Sequence, residues 1–165
     1  MRFEKLSNFW TLLLLLQITA CAKSQNAPKI VEKKIDFVVA KDGSGDFRTV
    51  QEAINAVPDL RKKQTVIFIK NGVYKEKLTL PATKMDVKFV GQSADSVILT
   101  FDDYASKKNI FGEEIGTSGS ASFFIYGNGF IAENITFENS SGPVGQAVAV
   151  RVAADKVKFI NCRFL

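Results

Sequence analysis

The sequence predicts an all-β chain whose short strands stack as a parallel β-helix, a single-stranded solenoid with one short helix at its N-terminal end. Beyond one amphipathic segment near residue 50, the chain becomes a series of strand-sized pieces rich in β-branched and aromatic residues. They are "QTVIFI", "KLTL", "VKFVG", "SVILT", "SASFFIYG", "FIAENITFEN", "AVAVRV" and "KVKFINCRFL", bounded by Gly, Asn, Asp or Pro. No second amphipathic segment of helix length follows, which argues against alternating strands and helices. The pieces also repeat. Asn134 stands three residues before Phe137 in "AENITF", and Asn161 three before Phe164 in "FINCRF", 27 positions later (161 − 134). "VKFVG" from Val87 returns as "VKFIN" from Val157, 70 positions later (157 − 87), between two and three such periods. Stacked coils produce this recurrence. A flat sandwich of similar strands can imitate it, and the pattern alone leaves both open.

Taken in order, the chain begins with a segment set apart from the fold. Arg2 and Lys5 precede an apolar run from Phe9 to Ile18, about half of the roughly 20 residues that a membrane-spanning helix needs. Residues 1–20 therefore read as a signal peptide. Ile18-Thr19-Ala20-Cys21 resembles the lipobox of bacterial lipoproteins, in which the cysteine receives the lipid and becomes the new N-terminus. The expectation is lipidation at Cys21, with residues 21–35 as a polar tether and residues 36–165 as the domain. An ordinary signal peptide with a chance cysteine is the alternative. "FVVA" from Phe37 is strand-sized, and "KDGSGDF" after it is turn chemistry. Thr49 and Glu52 have the spacing of a capping box, Val50, Ala53, Ile54 and Val57 share one helical face, and Pro58 ends the helix.

Composition narrows the chemistry. Hydrophobic residues at 46% and charged residues at 24% give a globular balance with enough apolar material for a core. Without residues 1–20 the chain carries 20 basic and 16 acidic residues. The lysines come as scattered pairs such as Lys33-Lys34, Lys62-Lys63 and Lys107-Lys108 and read as solvated surface, which argues against nucleic-acid binding. Weak attraction to an acidic polymer fits equally well. Cys162 has no partner once Cys21 is lipidated, and is expected to be a small buried hydrophobe. Histidine is absent. A Ser-His-Asp or Cys-His arrangement and an imidazole metal site cannot be assembled within this chain. Hydrolytic chemistry has to rest on carboxylates, amides or lysines.

"FVVAKDGSGDFRTVQEAINAVP", "IFIKNGVYKEKL" and "GNGFIAENITFENSSGPVGQAVAVRVAADKVKFINCRFL" resemble successive blocks of the pectin methylesterases, in the same order and at similar spacing. The likeness covers nearly all of residues 36–165. Gly-Ser-Gly is a weak part of it; the last block is specific. The resemblance implies a right-handed parallel β-helix that hydrolyses the methyl ester of galacturonate in pectin (homogalacturonan), acting as a monomer. An aspartate nucleophile, a second aspartate as acid and base, and glutamine amides that stabilise the oxyanion do the work, with no metal or organic cofactor. An aspartate nucleophile needs no imidazole, in keeping with the missing histidine.

Residue by residue, Gln146 matches the first glutamine of the family's Gln-Ala-Val-Ala-Leu motif, with Val150 in place of the leucine. The resemblance makes it an oxyanion stabiliser and substrate contact; read alone, it fits a corner residue satisfied by backbone better. Thr117 in "GTSGSAS" matches a threonine near the bound sugar, although the aromatic residue common after it is Ser118 here; read alone, simple turn chemistry fits it equally. Tyr74 and Glu76 read as structural, Tyr74 by packing and Glu76 by bonding backbone. Asp102-Asp103 reads as a solvated loop, because neighbours on a strand face opposite ways. The family's Gln-Asp-Thr segment, its other aspartate and its substrate arginine would follow Leu165, so the resemblance implies a chain that stops before its catalytic aspartates. A non-catalytic β-helix that binds acidic polysaccharide or serves as a surface scaffold is the alternative of another class. A pectate lyase would need clustered calcium carboxylates, which the sequence does not show. The lipobox implies attachment to a bacterial outer membrane, on its periplasmic or outer face.

Overall fold

The computed structural model describes residues 34–165. Cys21 and the signal and tether segments lie outside the described residues up to Lys33.

Among the described residues the strands pair in parallel and sort into three sheets that the chain visits in turn. β1 (Phe37–Val39) leads into α1 (Val50–Ala56), and β2 (Thr65–Ile69), β3 (Gly72–Lys75) and β4 (Leu78–Leu80) then make the first full coil. β5 (Val87–Gly91), β6 (Val97–Phe101) and β7 (Phe123–Ile125) make the second. β8 (Ile131–Glu133), β9 (Thr136–Asn139) and β10 (Val150–Val152) make the third, and β11 (Lys158–Ile160) with β12 (Arg163–Phe164) begins a fourth. The sheets run β1-β2-β5-β8-β11, β3-β6-β9-β12 and β4-β7-β10. This is a parallel β-helix, and the sandwich alternative is gone.

The register explains the repeats. β8 pairs with β11 through Ile131–Lys158 and β9 with β12 through Thr136–Arg163, each 27 residues apart. Lys88 pairs with Ile131, 43 residues away (131 − 88). The echo of Val87 at Val157 therefore spans two coils, not between two and three, because one coil carries an inserted segment between β6 and β7. "FIAENITFEN" and "KVKFINCRFL" are not continuous strands. Asn134 and Asn161 turn the chain at φ 58° and 50°, a left-handed conformation that asparagine tolerates better than most residues. The Asn161 amide donates to Asn134 Oδ1 at 2.7 Å, so like corners stack.

Side chains alternate between core and exterior as the pleat requires. Ile67, Ile69, Phe89, Leu99, Phe123, Ile125 and Phe137 point inward and are fully buried. Phe137 stacks on Phe123 and on Phe164 from the coils before and after, at 6.1 and 5.6 Å between ring centres. α1 covers the first coil with Val50, Ala53 and Ile54. Its capping box is formed: Glu52 N–H donates to Thr49 Oγ1, and Thr49 N–H to the Glu52 carboxylate. Glu76 adds a second cap, accepting from the Val50 and Gln51 N–H groups at 3.0 Å each, where a negative charge is stabilised by the helix terminus. Tyr74 is buried and its hydroxyl donates to Lys70 C=O at 2.9 Å. Burial pushes its phenol upward. Both residues are structural, as their sequence context predicts.

Cys162 packs at the margin of the core and is half-buried, with its thiol against Ile160 C=O. Burial raises its thiol pKa.

Candidate active site

Beyond the β1–β2 connection that carries α1, two connections differ from the tight corners elsewhere. One is the inserted segment from Asp102 to Ser122 between β6 and β7, which holds the single-turn helix α2 (Gly116–Gly119). The other runs from Ser140 to Ala149 between β9 and β10. Thr117 lies on the first and Gln146 on the second, and the coil brings them together. The Thr117 hydroxyl donates to Gln146 Oε1 at 2.6 Å. That bond orients the carboxamide and turns its Nε2 N–H pair to the opposite side, where it can donate to an incoming oxygen. Gln146 does not open a strand. It sits in an extended loop, and its own C=O accepts from Ala105 N–H at 2.8 Å. Both side chains are exposed.

A residue that sequence reading passed over holds these loops. Asn139, the last residue of β9, donates from one amide to three carbonyls: Asp103 at 2.9 Å, Ser120 at 3.1 Å and Val148 at 3.1 Å. Two amide protons serve three acceptors, so one proton is shared. Its Oδ1 accepts from Ser141 N–H at 3.0 Å. One side chain thus ties down the start of the insertion, the residue after α2 and the strand entry two residues beyond Gln146. Its only sequence signal is an asparagine at a strand end before "SSGP".

Asp103 is the second such residue, and the expectation of a solvated loop fails for it. It is 6% exposed, and its carboxylate meets Lys77 Nζ at 2.5 Å and Lys107 Nζ at 2.7 Å. Burial pushes the carboxyl upward, but the hydrogen bonds and charges of Lys107 and Lys77 outweigh it and hold Asp103 below the usual carboxylate value. The hydrogen bond to Asp103 raises Lys107 in turn. Lys77 also donates to Gly119 C=O at 2.9 Å and lies over the Phe124 ring. Lys107 is therefore part of a clamp and not a freely solvated charge. Asp102 is more exposed and pairs with Lys75 at 2.7 Å. The Asp-x-x-x-Lys spacing of Asp103 and Lys107 was a readable hint, but Lys77 is remote in sequence.

The arrangement can supply a neutral hydrogen-bond donor for an oxyanion, held by a hydroxyl and by backbone. Among the described residues, no group of three His, Cys, Asp or Glu is placed to hold a metal.

Comparison with known proteins gives a consistent answer. Residues 36–165 match the family model described as Pectinesterase. Pectinesterase 31 of Arabidopsis thaliana is 44% identical over 134 residues, which is 77% of this chain and 42% of that protein. The solved pectin methylesterase from carrot is 42% identical with a TM-score of 0.69, covering 78% of this chain and 39% of that one. Pectin methylesterase PemA from Erwinia chrysanthemi is 27% identical with a TM-score of 0.73, covering 78% and 42%. The chain spans at most about two-fifths of the length of the curated relatives it matches. With the family model covering the whole β-helix, the chain belongs to the pectinesterase family.

Proposed function

We propose that the protein carrying this chain demethylates galacturonate esters in pectin, and that Gln146 stabilises the negative oxygen formed when the ester carbonyl is attacked. The net reaction converts ester and water into carboxylate and methanol. The observation that carries the proposal is the Thr117–Gln146 hydrogen bond, which fixes the amide with its N–H groups free to donate. A preorganised neutral donor of this kind accounts for about 3 kcal/mol of barrier lowering. Thr117 serves as positioning residue for that amide and as a substrate contact. The relatives' names support the substrate, as does a pectin methylesterase of 28% identity solved in complex with a hexasaccharide. The nucleophilic and acid–base aspartates belong, by resemblance, to the family's Gln-Asp-Thr region and beyond. No metal or organic cofactor takes part in this mechanism, and the protein acts as a monomer.

The test is methanol release from methylated pectin by the full-length protein. Gln146→Ala should lower kcat by a factor on the order of 100 to 1000 with little change in KM. Unchanged kcat would remove Gln146 from the mechanism. A wild-type protein that retains pectin without releasing methanol would instead be a binding module.

The lipobox-like Ile18-Thr19-Ala20-Cys21 supports a bacterial lipoprotein, with residues 1–20 removed, Cys21 lipidated, residues 21–35 as tether and residues 36–165 as the β-helix domain at the outer membrane. Metabolic labelling with a fatty acid should mark the wild type and not Cys21→Ser. Equal labelling of both would overturn the assignment.

A further inference from the structure

The inserted segment contains a small hydrogen-bonded hairpin. Its base is bonded to the site itself: Ala105 N–H donates to Gln146 C=O, and Ala105 C=O accepts from Gly116 N–H next to Thr117. Lys108 and Glu114 form an antiparallel bridge, and Asn109 locks the tip. Asn109 Oδ1 accepts from the Phe111 and Glu113 N–H groups at 2.9 and 3.1 Å, while its backbone bonds Glu113 and Gly112. Gly112, at φ 80°, permits the turn. This ordered tip holds Ile110 and Phe111 in solvent at 92% and 80% exposure, the highest among the large hydrophobic residues described. Displaying two such side chains on a locked turn is unfavourable unless something covers them.

We propose that Ile110 and Phe111 form an accessory binding site for methyl-esterified stretches of the pectin chain beside the Gln146 site. This rests on the esterase reading above and names the form of substrate the site takes. The hairpin's base is continuous with the candidate active site, and Phe111 is six residues from Thr117, within about 20 Å at full extension. The tip therefore lies no more than a few sugar lengths from Thr117, within reach of a polymer bound at Gln146. The charge selects the esterified form. Lys107 and Lys108 face Glu113 and Glu114 in sequence, so the hairpin is formally neutral, and Lys107 is already engaged by Asp103. No free cation excess awaits a carboxylate, and Glu113 and Glu114 repel one. A neutral methyl ester and the apolar C–H face of a sugar ring, by contrast, match an aromatic and an aliphatic side chain.

Retention of the full-length protein on highly methylated pectin, and on the same pectin after alkaline de-esterification, tests this. The wild type should prefer the methylated form. The double variant Ile110→Ser/Phe111→Ser should bind it roughly tenfold more weakly and lose the preference, and Phe111→Tyr should retain it. Unchanged binding overturns the proposal, as does equal loss on both pectins. A lowered unfolding midpoint in the double variant would mean that the tip packs against the rest of the protein, which also overturns it. Loss of association with phospholipid vesicles, with pectin retention untouched, would make the tip a membrane contact instead. Methanol release by the wild type checks the esterase reading separately. Phe111-dependent retention without methanol would leave the binding site standing and the esterase reading refuted.

Discussion

The stacked coils and the insertion that carries Thr117 are built from different forces. In the coils, like residues lie on like: Phe137 on Phe164, Asn161 on Asn134, each strand on its equivalent. Burial of apolar side chains and parallel backbone ladders hold them, with the same contacts in coil after coil. The insertion and the Gln146 loop have almost no core of their own. They are held by side-chain bonds to single carbonyls from Asn139 and Lys77, and by the Asp103 clamp. The difference teaches that the coils determine stability while a few polar side chains determine whether the candidate site is assembled. Polar holding of this kind places atoms accurately but is cheap to undo.

The sharpest break in the comparison should come from the coils. Phe137→Ala removes a ring packed between neighbours on both sides and should cost about 3–5 kcal/mol of unfolding free energy, read by urea denaturation. A cost below about 1 kcal/mol would mean that the stack is not the source of stability.

Asn139→Ala should do the reverse. Loss of its bonds should lower methanol release by a factor of about 100 through misplacement of Gln146, with a stability change of only about 1–2 kcal/mol. Combined with Gln146→Ala it should add almost nothing further, because both act through the same amide. Multiplicative losses in the double variant would show that Asn139 acts on something else.

The smallest effect is one of pH. A carboxyl held below its ordinary value contributes stability that is fully present above about pH 4 and is lost as pH falls through the lowered value. Lys107, raised by Asp103, keeps its contribution until well into the alkaline range. The clamp should therefore hold across neutral pH and loosen in acid. Hydrogen-exchange protection of the Ile115 amide, which donates to Lys107 C=O at 3.0 Å, should fall toward pH 3, after correction for intrinsic rate, while that of β5 and β8 persists. Parallel behaviour of the two regions would refute the clamp.

Much of the fold was legible because a solenoid writes its period into the chain. The Asn-x-x-Phe pairs at 27-residue spacing mark stacked corners, and the capping box and Pro58 bound the helix. Two features misled. The inserted segment stretched one coil, so the 70-residue echo looked like a fraction of the period when it was two coils. Asn134 and Asn161 sit in strand-like sequence yet turn the chain, since their left-handed conformation leaves the hydrophobic alternation on either side intact. β3, "GVYK", was missed as a strand because its glycine and short length give little pattern.

For the candidate site, the resemblance singled out Gln146 and Thr117, but not the bond between them. They stand 29 positions apart, and only the coil and its insertion bring them within 2.6 Å. Asp103 shows the same limit: adjacent acids on a loop look solvated until Lys77 arrives from a different coil. By itself the sequence excluded an imidazole mechanism through its lack of histidine, pointed to a solenoid through its period, and implied the pectinesterase family through the resemblance of three blocks. Only the tertiary structure decided which polar groups meet, because the side-chain bonds that assemble the site join residues remote in sequence and leave no local periodicity to read.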